Sequence, residues 1–180
     1  MKLRFILPLI ILSFISCEKE EVKNRLNTQE NYIEQFIESQ VNADSTRYSV
    51  SNKGAYRLVL AKGKGEELTS NGTVSFYYAG YLLTGKTLNE STMFATNRKE
   101  IAETADWDTA DEEKFAIKTI TLSEAGLIDG LKKGLEGVMG GEECYILFSG
   151  KYGFGDRQLG TIPANSGLVY HIWVESISNE

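Results

Sequence analysis

Histidine and thiol chemistry are nearly absent from this chain. Its 180 residues hold one histidine, His171, and two cysteines, Cys17 and Cys144. A single histidine argues against multi-histidine zinc sites and against Ser-His-Asp catalysis. Two cysteines without a Cys-x-x-Cys spacing indicate neither a disulfide framework nor a thiol redox pair. Proline is as scarce: Pro163 is the only one beyond Pro8 in the N-terminal segment. Basic charge is also short, with 19 Lys and Arg against 25 Asp and Glu and a net charge of −6. The basic residues form no stripe, so a nucleic-acid phosphate backbone is a poor partner and nucleic acid is set aside. The apolar run over residues 5–15 is too short to cross a bilayer as a helix.

What is present starts at the N-terminus. Residues 1–16 carry Lys2 and Arg4, then the apolar run, and no acid, the pattern of an export signal. The segment Leu12-Ser13-Phe14-Ile15-Ser16-Cys17 resembles a bacterial lipobox, with Phe14 where leucine is commoner. That implies lipidation of Cys17 and anchoring to a lipid membrane, each buried CH₂ contributing about 0.8 kcal/mol. The expected location is outside the cytoplasm, on the periplasmic side or the cell surface. An ordinary secretory signal with an accidental cysteine is the alternative. Glu18-Lys19-Glu20-Glu21 and the polar stretch to about Asn31 read as a solvated tether, and resemble the acidic tag of some surface lipoproteins.

Residues 29–41 space Ile33, Phe36, Ile37 and Val41 as one face of a short amphipathic helix. That face packs on the following domain or serves as a dimerising arm. From Tyr48 the period changes to two. Strands are expected at 55–60, 73–79, 115–121, 143–149 and 168–177, with a turn at Asn52-Lys53-Gly54. One helix is expected around 124–135, with Leu127, Ile128, Leu131 and Leu135 on one face, and a shorter one near 97–105. Many strands and one helix give an α+β class: an antiparallel sheet closing over that helix. The division is a signal over 1–16, a tether and helix over 17–45, and a domain over 46–180. Strand phase turns His171 away from Tyr170 and Ile172, and puts Cys144 with Ile146 and Phe148 as an inert core thiol. The two-glycine fragments at Gly63 and Gly153 lack the context of a dinucleotide site, and Asp106, Asp108, Asp111 and Glu112 lack the spacing of a calcium loop.

Five blocks in order carry a resemblance over about residues 46–178. They are Val74–Leu82 with Thr84-Gly85-Lys86, Leu127–Leu135, Gly141–Phe148, Tyr152-Gly153-Phe154-Gly155, and Ile162-Pro163-Ala164-Asn165-Ser166 leading into Leu168-Val169-Tyr170. Together they resemble the FKBP family of peptidyl-prolyl isomerases, in a lipoprotein form similar to those associated with gliding motility in some bacteria. The resemblance implies a curved antiparallel sheet wrapped around one central helix, a shallow apolar pocket between them, Xaa-Pro bonds of exported polypeptides as substrate, FK506-type macrolides as ligands, and no cofactor or metal. It assigns catalytic places to Tyr78, Asn89, Ile128 (through its backbone N–H), Phe154 and Tyr170. It assigns substrate contacts to Leu88, Phe115, Leu127, Leu131 and Ile162, with Phe115, Tyr170 and Leu131 around the proline ring. For the apolar members the residues alone fit ordinary core equally well.

Rotating an amide crosses a barrier of about 18–20 kcal/mol without making or breaking a bond, so scarcity of His and Cys is no obstacle. The departures from the family pattern are Leu88 and Leu131 for aromatics, the latter a common variant in bacterial members, Asn89 for an aspartate, and Phe154 for a tyrosine. Asn89 and Phe154, one charged group and one donor lost, imply a slow isomerase, or a catalytically weak binding module or holdase on a lipoprotein. Residues 91–114 read as an insertion at the pocket rim. The loop from Gly155 to Ile162 is too short for the chaperone insert of some bacterial relatives.

Overall fold

The computed structural model describes residues 7–124 and 126–179, with side chains from Lys19 onward. Seven strands make one antiparallel sheet: β1 (Tyr48–Asn52), β2 (Ala55–Ala61), β3 (Thr73–Leu82), β4 (Met93–Thr96), β5 (Lys118–Thr121), β6 (Glu143–Phe148) and β7 (Leu168–Ser178). Their order is β1-β2-β6-β7-β3-β4, with β5 also paired to β3. Among the described residues three α-helices accompany them: α1 (Leu7–Ala43), α2 (Lys99–Thr104) and α3 (Asp129–Leu135). The architecture is the expected α+β class. The turn at Asn52-Lys53-Gly54 joins β1 to β2, with Lys53 at φ 47° and Gly54 at φ 95°.

Strand alternation divides the core in two. On the concave face Val74, Phe76, Ile120, Ile146, Phe148, Tyr170 and Ile172 pack with Leu131 and Leu135 of α3. On the convex face Leu58, Ala79, Tyr81, Leu147 and Val169 pack with Ile33 and Phe36 of α1. Cys144 is fully buried on the concave side, where burial pushes its thiol well up. His171 faces the other way, lying between the tilted rings of Tyr145 and Trp173 at centroid distances of 4.4 and 3.8 Å. Its Nε2 lies 2.8 Å from Glu143 Oε1, and burial holds its pKa below the usual imidazole value.

The N-terminal segment differs from the expectation. The helix is not confined to 29–41: its backbone runs from Leu7 to Ala43, through the stretch expected as a tether. Val22 and Leu26 continue the Gln29-Ile33-Phe36 stripe at helical spacing and are half-buried. Glu21 and Arg25 add an i,i+4 pair at 3.6 Å. The stripe on Ile33 and Phe36 packs on the sheet, one of the two alternatives left open. The signal-peptide reading of 1–16 and the side chain of Cys17 fall on residues, or on side chains, outside those described.

The central helix begins five residues later than expected, because Gly126 takes φ 95°, where a helix cannot continue. It sits close on β6 through two glycines. A Cβ at Gly134 would lie 2.1 Å from Ile146 Cγ2, and one at Gly130 would lie 2.2 Å from Phe148 Cγ. Gly134→Ala therefore overpacks the core. We expect a net loss of about 1–3 kcal/mol, overriding alanine's better helix propensity, read by thermal unfolding as a Tm lower by about 2–4 °C per kcal/mol. An unchanged Tm would show that α3 can shift off the sheet.

Candidate functional site

A cavity of about 720 Å³ opens between the concave face, the start of α3 and the β6–β7 connection. Strand β3 contributes Phe76 and Tyr78, and β7 contributes Tyr170. Alternation on a strand places Phe76 and Tyr78 on one face. Leu127, Ile128 and Leu131 come from the turn into α3 and from its first turn, and Phe154, Leu159 and Ile162 from the connection. Aromatic rings dominate the floor. Tyr170 stacks on Phe148 at 6.0 Å, meets Phe94 edge-on at 5.8 Å and lies 6.1 Å from Tyr78.

Polar groups in the cavity are few and uncommitted. Among the described residues, neither the Tyr78 nor the Tyr170 hydroxyl has a hydrogen-bond partner, and no acceptor takes the Ile128 N–H. Burial raises the Tyr78 pKa, and burial with Tyr78 nearby raises that of Tyr170, so both remain neutral donors at physiological pH. Ile128 is the N-cap of α3, with extended backbone (φ −63°, ψ 129°). Its N–H belongs to the group that helix geometry leaves without an internal acceptor. The arrangement is an apolar, aromatic cleft with a few neutral donors and one exposed lysine, Lys118, in its lining. That suits binding a hydrophobic ring and a carbonyl, and does not suit nucleophilic attack.

Seven of the residues assigned from sequence meet here: Tyr78, Leu127, Ile128, Leu131, Phe154, Ile162 and Tyr170. Three do not. Leu88 belongs to the convex side, among Tyr81, Met93, Ile101 and Trp173. Asn89 is exposed and caps the 3₁₀ turn Glu90–Thr92, its Oδ1 accepting from the Ser91 N–H (3.1 Å) and Oγ (2.7 Å). Phe115 ends the 3₁₀ turn Glu112–Phe115 and lies beside Tyr77 and Trp173 on the convex side. The physical reason is one of register. The capped turn delays the return strand to Met93, and β4 then pairs Gly80 with Ala95. Phe94 and Ala95 therefore line the cavity where Leu88 and Asn89 were expected. Phe115 is displaced because β5 begins only at Lys118, with Ile120 opposite Val74. Phe76 supplies the missing aromatic.

The sequence does hold a signal for Phe94. Asn89-Glu90-Ser91-Thr92 is a side-chain-capped turn by residue type, and reading it as one moves the next strand to 93. Of residues 91–114, expected as an insertion at the pocket rim, only Phe94 and Ala95 line the concave cavity, and the segment beyond Asn97 runs elsewhere. It packs on the convex face, where Ile101 and Trp107 border a second cavity of about 550 Å³ with Tyr145, His171 and Trp173. Asn97 closes its base. Its Oδ1 accepts the Tyr78 N–H at 2.6 Å, and its Nδ2 donates to the Ala116 carbonyl at 3.0 Å.

A family model for FKBP-type peptidyl-prolyl cis-trans isomerases matches residues 64–175, more than half of the chain. The chain belongs to this family. The matched span includes every cavity residue, from Phe76 to Tyr170. Among curated FKBP relatives, FK506-binding protein 1 of Aspergillus oryzae is 24% identical over 119 residues, covering 66% of this chain and 94% of that protein. The isomerase FkpA of Buchnera aphidicola is 26% identical over 166 residues, 92% of this chain. The chain spans about half, 54%, of that relative's length. Among solved structures, FkpA from Escherichia coli superposes with a TM-score of 0.56 at 19% identity, covering 98% of this chain and 74% of that one. An isomerase from Pseudomonas syringae gives 0.57 at 18% identity, covering 87% and 96%. These structural likenesses establish the fold, including the FKBP sheet curved over α3.

Proposed function

We propose that the concave cavity is the Xaa-Pro site of a slow prolyl isomerase acting on exported polypeptides, and that Cys17 is its lipid anchor. The observation that carries the reading is the pairing of an aromatic floor with uncommitted neutral donors in one cleft. The proline ring packs on Tyr170, Phe76 and Leu131, with Ile162 and Leu127 at its sides. The Ile128 N–H and the Tyr78 hydroxyl face the substrate backbone. Phe154 adds apolar cover without a hydroxyl. Twisting the Xaa-Pro bond removes amide resonance, so charge leaves the carbonyl oxygen and the imide nitrogen becomes a better acceptor. A dry cleft with fixed donors favours that state over the planar one. An FK506-type macrolide, the ligand in the name of the Aspergillus oryzae relative, is expected to bind the same apolar cleft.

Slow turnover follows from Ala95. Its methyl stands on the strand beside Gly80, in the cleft with Tyr78, and offers no group to polarise a donor. Ala95→Asp is expected to raise kcat/KM several-fold in a proline-peptide exchange assay, one charge-assisted contact being worth about 1.5–3 kcal/mol before its desolvation cost. Asn89→Asp is expected to change nothing, because that side chain is exposed, caps a turn and does not line the cavity. If Ala95→Asp is silent, the account of slow turnover is wrong. If the wild-type chain does not accelerate exchange yet binds FK506, the protein is a binding module or holdase that keeps the cleft. Mass spectrometry of membrane-fraction protein, with and without Cys17→Ser, tests the anchor.

A further inference from the structure

We infer that Gln29 of the N-terminal helix is a positioning residue for the isomerase cleft, its buried amide stapling together the two ends of the loop that forms one cleft wall. The inference rests on the concave cavity being the Xaa-Pro site. Strand β6 ends at Phe148 and β7 begins at Leu168, so one long connection supplies Phe154, Leu159 and Ile162 to the cavity. Gln29 is 6% exposed. Its Oε1 accepts the Gly150 N–H at 2.8 Å, just after β6, and its Nε2 donates to the Asn165 carbonyl at 2.8 Å, just before β7. The amide can face only one way, because the N–H requires its oxygen and the carbonyl requires its nitrogen.

The neck of the loop is built around this contact. A Cβ at Gly150 would lie 2.4 Å from the Asn165 carbonyl carbon, so the two strands of the neck touch as bare backbone. The Asn165 N–H donates to the Gly155 carbonyl at 2.6 Å, and Leu159 and Ile162 exchange two backbone bonds at 3.0 and 2.9 Å, carrying the neck's geometry to the wall. Gly167 lies against the Gln29 stem, where a Cβ would meet Cδ at 3.1 Å. Among the described residues, no other group donates to the Asn165 carbonyl or accepts from the Gly150 N–H. One turn further along the helix, Ile33 and Phe36 are seated in the convex core. The helix thus fixes the loop against the sheet, and the cleft extends functionally beyond the family-matched span to residue 29.

The Gln29→Glu variant separates positioning from simple stability. Its carboxyl, when protonated, would donate to Asn165 and accept from Gly150 as the Gln29 amide does. Once ionised, it would set an anion against the Asn165 carbonyl. The experiment compares full-length wild type, Gln29→Glu and Gln29→Leu between pH 5 and 8, at a temperature where circular dichroism shows each fully folded. Readouts are kcat/KM on an Xaa-Pro peptide and the amide resonances of Gly150, Phe154 and Ile162. The flanking titratable groups are Glu30 and Glu34 on the same helix, Tyr56 of β2 on which both act, and Lys151 and Tyr152 directly after Gly150. They are common to all three proteins, so wild type at each pH is the reference.

Gln29→Leu should lose roughly five- to tenfold in kcat/KM at every pH, the equivalent of one neutral hydrogen bond. Gln29→Glu should be as poor at pH 8 and return toward wild type as pH falls, with the three amide resonances following the same titration. Unchanged kcat/KM in folded Gln29→Leu, or a flat profile for Gln29→Glu, overturns the inference. If wild type itself has no turnover, the Xaa-Pro reading has failed, and the resonances alone decide. Wall resonances that move in Gln29→Leu and titrate back in Gln29→Glu support the staple, and resonances that stay in place overturn it.

Discussion

Phe36→Ala is expected to lower the unfolding free energy by about 3–5 kcal/mol, as large-to-small changes of buried aromatics do. Phe36 is 2% exposed and meets the Tyr145 ring edge-on at 5.4 Å. It lies over Leu58, Leu147 and Val169, whose exposure is at most 1% and which belong to three central strands. Truncation removes the ring's transfer energy and leaves a void that the hydrogen-bonded sheet beneath cannot close. Urea unfolding checks this, with an unchanged m-value required for the loss to be assigned to the folded state. A loss under about 1 kcal/mol would mean that the helix is only loosely apposed to the sheet. The same packing bears on where the folded unit begins. A fragment starting at residue 46 would leave the faces of β2, β6 and β7 bare, so activity is properly measured on a chain that retains α1.

The general architecture could be read from the sequence because alternation and helical spacing report burial directly. Val74-Phe76-Tyr78 and Leu168-Tyr170-Ile172 expose the period of two that sets the concave face. Seven of ten assigned residues reach the cavity because they lie on such strands, or on the loops tied closely to them. The other three failed together and for one cause. Leu88, Asn89 and Phe115 lie where backbone hydrogen bonding is local, in turns capped by Asn89 and Asp111, and a short-range cap leaves no trace in hydrophobic period. A turn of three residues was enough to shift the aromatic from 88 to 94. The helix from Leu7 was hidden for a different reason. Residues 18–31 are rich in charge, and only Val22 and Leu26 betray the stripe that continues into Gln29. Gln29 itself was invisible, since a glutamine on an amphipathic helix looks like a solvated one until its two backbone partners, more than a hundred residues away, are known.

The second large effect is expected beneath the end of α3. Arg57 and Glu142 are buried there with side-chain exposures of 9% and 2%, and Nε lies 3.3 Å from Oε1. Neither of those two atoms has an aligned hydrogen bond, so the pair is held mainly by charge. Arg57 Nη1 also donates to the Glu136 carbonyl at 3.1 Å, at the C-terminal cap of α3. Burial raises the Glu142 pKa above the ordinary carboxylate value, and Arg57 draws it only part of the way back. Arg57→Met removes that compensation and is expected to cost about 3–5 kcal/mol at pH 7.5. The sign of the pH dependence follows. A carboxyl with a raised folded pKa favours the folded state most below its unfolded value, and loses that advantage as pH rises through the folded one. Without Arg57 the folded pKa climbs further, so the variant regains stability on acidification and its deficit narrows toward pH 5. Urea unfolding at pH 7.5 and pH 5 reads this directly. Arg57→Met combined with Glu142→Gln should recover much of the loss at pH 7.5, because the stranded charge is gone. A deficit that is flat in pH, together with a double variant no better than the single, would mean that Arg57 matters for its stem and its α3 cap and not for the pair.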